Sequence, residues 1–285
     1  MKKILFLLLY FFPVILFGQA RKETINKEFP IVSGQVNTLW IDNISGSVKV
    51  EGYNGSAVVI EAIKQVKSST QEELENSWQR LQLKFEQYND TIAAYPTGIC
   101  DCNCDSHHHR RNWNNCNFDD DFSIDFIIKV PVRINLLLST VNNGNITVNN
   151  SSGGLKIRNV NGGITLDHIS GAADVNTING DVTITYSKNP VANSKYYTLN
   201  GKLTVYYKPD LSAEMSFKSF NGSFYTDFDI DMLPSARLVS TSEEKSGPGI
   251  TYKIERKTLA RVGHGDINLQ FETLNGNIFI RKNSN

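Results

Sequence analysis

The stretch that decides the fold is "VNNGNITVNNSSGGLKIRNVNGGITLDHISGAADVNTINGDVTI", residues 141–184, in which glycines 144, 153, 162, 171 and 180 recur every nine residues. Aligned on the glycine, the unit reads apolar at Gly−2, often Asn or Ser at Gly−1, and apolar at Gly+2 and Gly+4. Good copies are "VNGGITL" (160–166), "INGDVTI" (178–184), "LNGKLTV" (199–205) and "LNGNIFI" (274–280), with "ISGSVKV" (44–50) upstream and a related "HGDINL" at 264–269. Apolar residues two apart mark one face of a strand. Asn-Gly supplies a bend, because both residues tolerate positive φ at little cost. Gly144, Gly153, Gly162, Gly171, Gly180, Gly201, Gly222 and Gly276 are therefore read as structural turns.

A unit this short cannot bury its own apolar face, whereas stacked neighbours form a continuous core. Nine residues hold one short strand and one corner, so two units, eighteen residues, make one coil. The steps from Gly180 to Gly201 and from Gly201 to Gly222 are 21 residues each, as expected if later coils carry small insertions. The fold class expected is all-β, a β-solenoid or β-helix-like stack of short strands, with one short helix in the N-terminal part.

The chain opens "MKKILFLLLYFFPVILFGQA". Two lysines precede an apolar run of about fourteen residues, short of the roughly twenty a spanning helix needs. Small residues at Gly18 and Ala20 suit signal-peptidase cleavage, so residues 1–20 are read as a removed secretory signal. Residues 21–285 then form a single elongated all-β domain, because no low-complexity linker divides them. Its expected parts are N-terminal strands at 29–66, a helix at about 70–81, a Cys/His-rich loop at 97–121, the regular repeat at 141–226 and C-terminal rungs at 250–282.

The 29 basic and 29 acidic residues balance, and loss of Lys2 and Lys3 leaves a net charge near −2. Such a balance gives no reason to expect nucleic acid or an anionic membrane as partner. No transmembrane segment is expected after signal cleavage. The reading is an exported chain in the periplasm, on the outer surface or secreted.

In "SSTQEELENSWQRL" (68–81), Ser69 or Thr70 can cap a helix whose first turn carries Glu72 and Glu73. "QLKFEQYNDTIAAYP" and "FSIDFIIKVPVRINLLLST" then read as two strands joined by a polar loop. Two more strands are expected around a turn at Gly247, Pro248 and Gly249.

"IIKVPVRINLLLSTVNNGNITV" (127–148) and "GHGDINLQFETLNGNIFIRK" (263–282) resemble the bacterial putative-adhesin family of exported proteins, the DUF4097 type. The resemblance spans roughly 29–282. It implies a β-solenoid-like exported protein with an adhesion role and no defined catalytic constellation, so no catalytic residue is carried across.

The Cys/His-rich loop departs from that pattern. "CDCNCDSHHHRRNWNNC" (100–116) holds all four cysteines and three of the five histidines. An even number of cysteines in an exported chain points to two disulfides among Cys100, Cys102, Cys104 and Cys116, with three possible connectivities. The alternative is a zinc or copper site built from those cysteines with His107 and His109. Otherwise no cofactor is expected.

Calcium-binding nonapeptide repeats need an Asp recurring at each corner, but Asp167, Asp174 and Asp181 occupy unlike positions. "FDDDF" (118–122) reads as a solvated turn. Asp167 with His168 is one candidate acid–base pair, weakened because strand neighbours point to opposite faces; His264 reads as a corner residue. The later coils are rich in aromatics, including Tyr196, Tyr197, Tyr206, Tyr207, Phe217, Phe220, Phe224, Tyr225 and Phe228. Alternation sends some of them inward and leaves others outward.

The functional expectation is a non-enzymatic cell-envelope binding or scaffolding module presenting a rigid face to a protein or glycan ligand. The competing reading is a periplasmic metal-handling or envelope-stress sensing protein using residues 100–116. A polysaccharide-acting enzyme is third.

Overall fold

Ile146, Val148, Ile164, Leu166, Val182 and Ile184, the residues at Gly+2 and Gly+4, have no solvent exposure. That alternation builds the strands. The computed structural model describes residues 19–31, 38–99, 120–234, 236–240 and 252–283, with backbone alone for 236–240 and 252–256. Residues 1–18 of the predicted signal and the Cys/His-rich segment 100–119 lie outside the described residues. The expected turn at Gly247, Pro248 and Gly249 does too.

The N-terminal part comprises β1 (Gln19–Pro30), β2 (Thr38–Asp42), β3 (Val48–Tyr53), β4 (Ala57–Ser68), α1 (Gln71–Arg80), β5 (Gln82–Tyr88), β6 (Thr91–Thr97) and β7 (Asp121–Pro131). The regular part follows with β8 (Asn135–Thr140), β9 (Ile146–Asn149), β10 (Leu155–Asn159), β11 (Ile164–Ile169), β12 (Ala173–Asn179), β13 (Val182–Tyr186), β14 (Ser194–Asn200) and β15 (Leu203–Tyr207). It ends with β16 (Ala213–Asn221), β17 (Phe224–Thr226), β18 (Asp231–Leu233), β19 (Ala236–Ser240), β20 (Tyr252–Arg256), β21 (Thr258–Val262), β22 (Ile267–Asn275) and β23 (Ile278–Lys282). The all-β class with one helix is as expected, and α1 occupies its expected place. The two strands expected within 82–140 are four: β5 and β6 form an antiparallel hairpin, while β7 and β8 belong to different sheets.

From β8 to β15 successive strands alternate between an 11-stranded and a 10-stranded sheet. Within each sheet, neighbours are parallel and two elements apart. Ile164 sits opposite both Ile146 and Val182, so one full step is eighteen residues, two of the nine-residue units. Aliphatic side chains from both sheets fill the space between them. The wider C-terminal rungs take stacked rings instead, with Phe271 packed between Tyr196 and Phe217 at centroid distances of 5.1 and 5.2 Å.

The even spacing conceals two kinds of corner. A Cβ on Gly162 would lie 2.1 Å from the Gly144 carbonyl oxygen, and one on Gly180 would lie 2.2 Å from that of Gly162. These glycines stack directly on each other. Gly153 and Gly171 stack at the opposite corner, the latter against the Gly153 carbonyl at 1.8 Å. Close backbone approach therefore demands glycine here, and the expected positive φ does not: none of these five adopts it. Of the Asn residues at Gly−1 only Asn143, before Gly144, adopts it; the other described non-glycines that do so are Asn89, Asn150 and His168.

Chain order and spatial order part at both ends. β22 and β23 insert between the earlier rungs, β22 between β14 and β16 and β23 between β15 and β17. Gly222 consequently stacks on Gly276, and Gly276 on Gly201, which corrects the expected succession from Gly201 to Gly222. At the other end β2 lies between β6 and β8, and β3 between β7 and β9. Antiparallel strands close the outermost rungs: β1 and β4 beyond β7, β5 beyond β6, and β21 and β18 beyond β16. The edge strand β1 is almost wholly exposed and charge-rich, "QARKETINKEFP", a composition that discourages pairing with another chain. Cleavage after Ala20 would shorten it by two residues.

Helix α1 lies against β1 and β4. Thr70 accepts from the Glu73 backbone N–H at 3.2 Å, while the Glu73 carboxylate accepts from the Ser69 and Thr70 hydroxyls at 2.9 Å each, closing a capping box. Those hydroxyl hydrogen bonds, Thr70 first, hold the Glu73 carboxyl below its ordinary range. The helix buries Leu74 and Trp78 over the open end of the core. Buried Lys64 reaches up from β4 and donates to the carbonyls of Trp78 at 2.9 Å and Leu81 at 2.5 Å, with its ammonium 3.9 Å from the centre of the Trp78 ring.

Candidate binding surface

Asn at Gly−1 and the apolar residue at Gly−2 close β12, β14, β16 and β22 of the 11-stranded sheet, just before the chain turns into the other sheet; Val160 and Asn161 follow β10 directly, and Asn142 and Val141, one residue further from their glycine, follow β8. Parallel register brings these positions side by side, and the asparagines form a continuous amide ladder. Asn161 donates to Asn142 at 2.8 Å, Asn179 to Asn161 at 2.8 Å and Asn200 to Asn179 at 2.8 Å. Asn275 then donates to Asn200 and Asn221 to Asn275, each at 2.7 Å. All six are exposed.

Directly beside this ladder runs a row of apolar side chains: Val141, Val160, Ile178, Leu199, Leu274 and Phe220. The sequence pattern grouped Gly−2 with the buried positions, but the structure turns it outward. Ile178 is 37% exposed, Leu274 39% and Phe220 80%, while the other three are half-buried. The cause is parity: the Gly+2 and Gly+4 positions face inward after the corner, and the corner itself changes sheet, so Gly−2 has no core to enter. Six parallel strands at about 4.8 Å spacing make the ridge about 24 Å long.

Behind the ridge the turn is locked by further side-chain to backbone bonds. Thr140, Thr177 and Thr198 donate to the carbonyls of Gly46, Gly162 and Gly180 at 2.9–3.0 Å, and Asn159 donates to that of Gly144 at 3.0 Å. Asn145, Asp181 and Asn277 each accept from a backbone N–H of the next rung at 2.7–2.9 Å. Rigidity along this corner follows from the repeated bonding, because each rung fixes its neighbour.

The aromatic residues divide as alternation requires. Tyr196, Tyr207, Phe217 and Phe228 are buried, together with Tyr186. Tyr186 and Tyr207 place their hydroxyls 2.8 and 2.9 Å from that of Tyr196. Burial, reinforced by the neighbouring phenols, pushes all three well above the usual tyrosine range. Outward, Tyr225 stacks on Phe279 at 5.0 Å, a pair and not a stripe.

Asp167 and His168 do meet, at 2.9 Å, against the expectation from strand alternation. His168 takes φ +51° at an irregularity between Leu166 and Ile169, which swings its ring toward Asp167. Both are substantially exposed. His264 is an exposed corner residue between Gly263 and Gly265, both at positive φ. Asp120 accepts from the Ser77 hydroxyl.

Cys100, Cys102, Cys104, His107, His109 and Cys116 lie outside the described residues, and the described residues hold no group of three or more metal-binding side chains. No described helix is long and apolar enough to cross a membrane.

No family model and no curated protein matches the sequence. Among solved structures, a putative cell adhesion protein from Clostridium sporogenes is 11% identical, with 92% of this chain and 100% of that chain covered and a TM-score of 0.44. A putative adhesin from Bacteroides fragilis is 12% identical, covers 90% and 97%, and has a TM-score of 0.35. A putative lipid binding protein from Parabacteroides distasonis is 11% identical, covers 94% and 98%, and has a TM-score of 0.29. Likeness at this level bears on none of the residues above.

Proposed function

We propose that the chain is a non-enzymatic, exported cell-envelope binding or scaffolding protein, a β-solenoid-like roll of the adhesin type. Its contact surface is the ridge from Val141 to Phe220. The observation that carries this reading is the exposed apolar row held in register by the amide ladder. Covering the exposed part of one such side chain contributes roughly 1 kcal/mol, less than the value for a fully exposed one because most of the row is already half-buried, and the fixed backbone removes most of the ordering cost of binding. A contiguous exposed apolar row is a recognised mark of an interaction surface. The ligand is a protein or glycan at the envelope, and branched aliphatic side chains favour an apolar protein surface.

The test combines Ile178→Gln, Leu199→Gln and Leu274→Gln in the full chain and measures attachment of producing cells alongside thermal unfolding of the purified protein. Loss of attachment with an unchanged Tm supports the reading. Attachment equal to that of the unsubstituted chain overturns it. Protease shaving of intact cells decides whether the chain reaches the outer surface.

A further inference from the structure

Apart from the ridge, a surface cleft lies on the outer face of the 10-stranded sheet, where β4 and β7 run antiparallel. Here a half-open cleft of about 340 Å³ is lined by Gln65 and Lys67 of β4 and by Asp121, Ser123 and Asp125 of β7. Phe122 and Asn143 also border it. The register places Lys67 opposite Asp121 and Gln65 opposite Ser123, so these four side chains share one face of the sheet. None of the four makes a side-chain hydrogen bond or ion pair among the described residues. Asp125 differs: its Oδ1 accepts from the Ser47 N–H at 2.8 Å and the Ser47 hydroxyl at 2.7 Å, which fixes the carboxylate beside the cleft it lines.

We propose that this cleft binds a single hydroxylated sugar ring. Its volume stands at the small end of ligand pockets, which run from about 300 Å³ upward, room for one ring and not for an extended chain. Asp121 and Asp125 are four residues apart on one strand, so their Cα atoms stand about 13 Å apart. That span is too wide for both carboxylates to reach one calcium ion at about 2.3–2.6 Å, but it suits two acceptors bracketing a ring whose hydroxyls donate to each. Hydroxyl to carboxylate bonds are the charge-assisted kind that hold polar ligands tightly. Gln65, Ser123, Lys67 and Asn143 add donors and acceptors around the ring. The proposal does not depend on the ridge.

The experiment is saturation-transfer NMR on the full exported chain with methyl glucoside, galactoside, mannoside and N-acetylglucosaminide, with calcium titrated separately. The expected result is transfer to at least one glycoside, weakened at least tenfold by Gln65→Ala and abolished by Ser123→Tyr, which fills the cleft. Neither side chain makes a hydrogen bond among the described residues, and both substitutions leave the backbone ladder in place, so both variants are expected to keep the parental Tm. Ile178→Gln leaves the transfer intact, which separates this site from the ridge. Absence of transfer from every glycoside overturns the proposal, as does transfer unaffected by Ser123→Tyr. Calcium binding abolished by that variant in place of sugar binding also overturns it.

Discussion

Asn275 donates its amide to Asn200 at 2.7 Å across 75 residues of sequence, while Asn221, only 21 residues beyond Asn200, reaches the ladder through Asn275. The C-terminal rung is thus an internal layer of the stack, and β16 with β17 is held outside it. Removing that rung opens the middle of the core and not its end.

Gly276 sits at the centre of this arrangement, where a Cβ would stand 1.9 Å from the Gly201 carbonyl oxygen. Backbone cannot yield as a flexible side chain does, so Gly276→Ala is expected to cost about 3 kcal/mol. Gly154→Ala is the control, since its Cβ would meet only the Asn135 side chain at 3.2 Å, and its expected cost is below about 1 kcal/mol. Urea unfolding midpoints of the two variants give the comparison; equal shifts would refute the stacking account.

Tyr196 joins Tyr186 and Tyr207 in a buried hydroxyl cluster whose protons the folded chain holds well above the usual tyrosine value of 10.0. The raised values mean that the stability contributed is full below about pH 10 and is lost as pH rises through the folded values. Of the chain's 11 tyrosines, these three are expected to ionise only with unfolding in an alkaline absorbance titration. Tyr196→Phe leaves two buried hydroxyls without their shared partner and is expected to cost about 1–3 kcal/mol.

Lys64 makes the opposite contribution. Burial, with Arg21 adding and Glu23 opposing, pulls its amine below the usual 10.5. The folded chain therefore holds this proton less tightly than the unfolded one, so the group's contribution is full above about pH 10.5 and is lost as pH falls through its lowered value. Lys64→Met is expected to flatten that part of the pH–stability curve. It also leaves the Trp78 and Leu81 carbonyls unpaired, lowering stability near neutral pH by about 1–3 kcal/mol. Denaturant titrations at several pH values measure both effects.

For the segment 100–116, two disulfides are expected in the exported protein, so thiol counting in denaturant without reductant should find no free cysteine. Four free thiols with stoichiometric zinc or copper would establish the metal reading instead. Deleting the segment is expected to leave ridge-dependent attachment unchanged.

Alternation at Gly+2 and Gly+4, the eighteen-residue step and the capped helix were all legible in the sequence, because each depends on contacts within one unit or between units a constant distance apart. The outward turn of Ile178, Leu199 and Leu274 was not, since a Gly−2 aliphatic has the same local pattern whether or not a core lies beneath it. Nor was the asparagine ladder: Asn-Gly suits a positive-φ turn equally well, and only parallel register reveals that the amides bond to one another.

Side-chain period and chain geometry made the strands, the inward Gly+2 and Gly+4 positions and the glycine corners readable from the amino-acid order. The succession of the rungs was set by long-range strand pairing. Parallel pairing requires no connection between neighbours, so nothing local could show that β22 and β23 enter between β14–β15 and β16–β17. That same pairing brings Phe220 beside Leu274, and cross-strand pairing of β4 with β7 gathers the polar groups of the cleft.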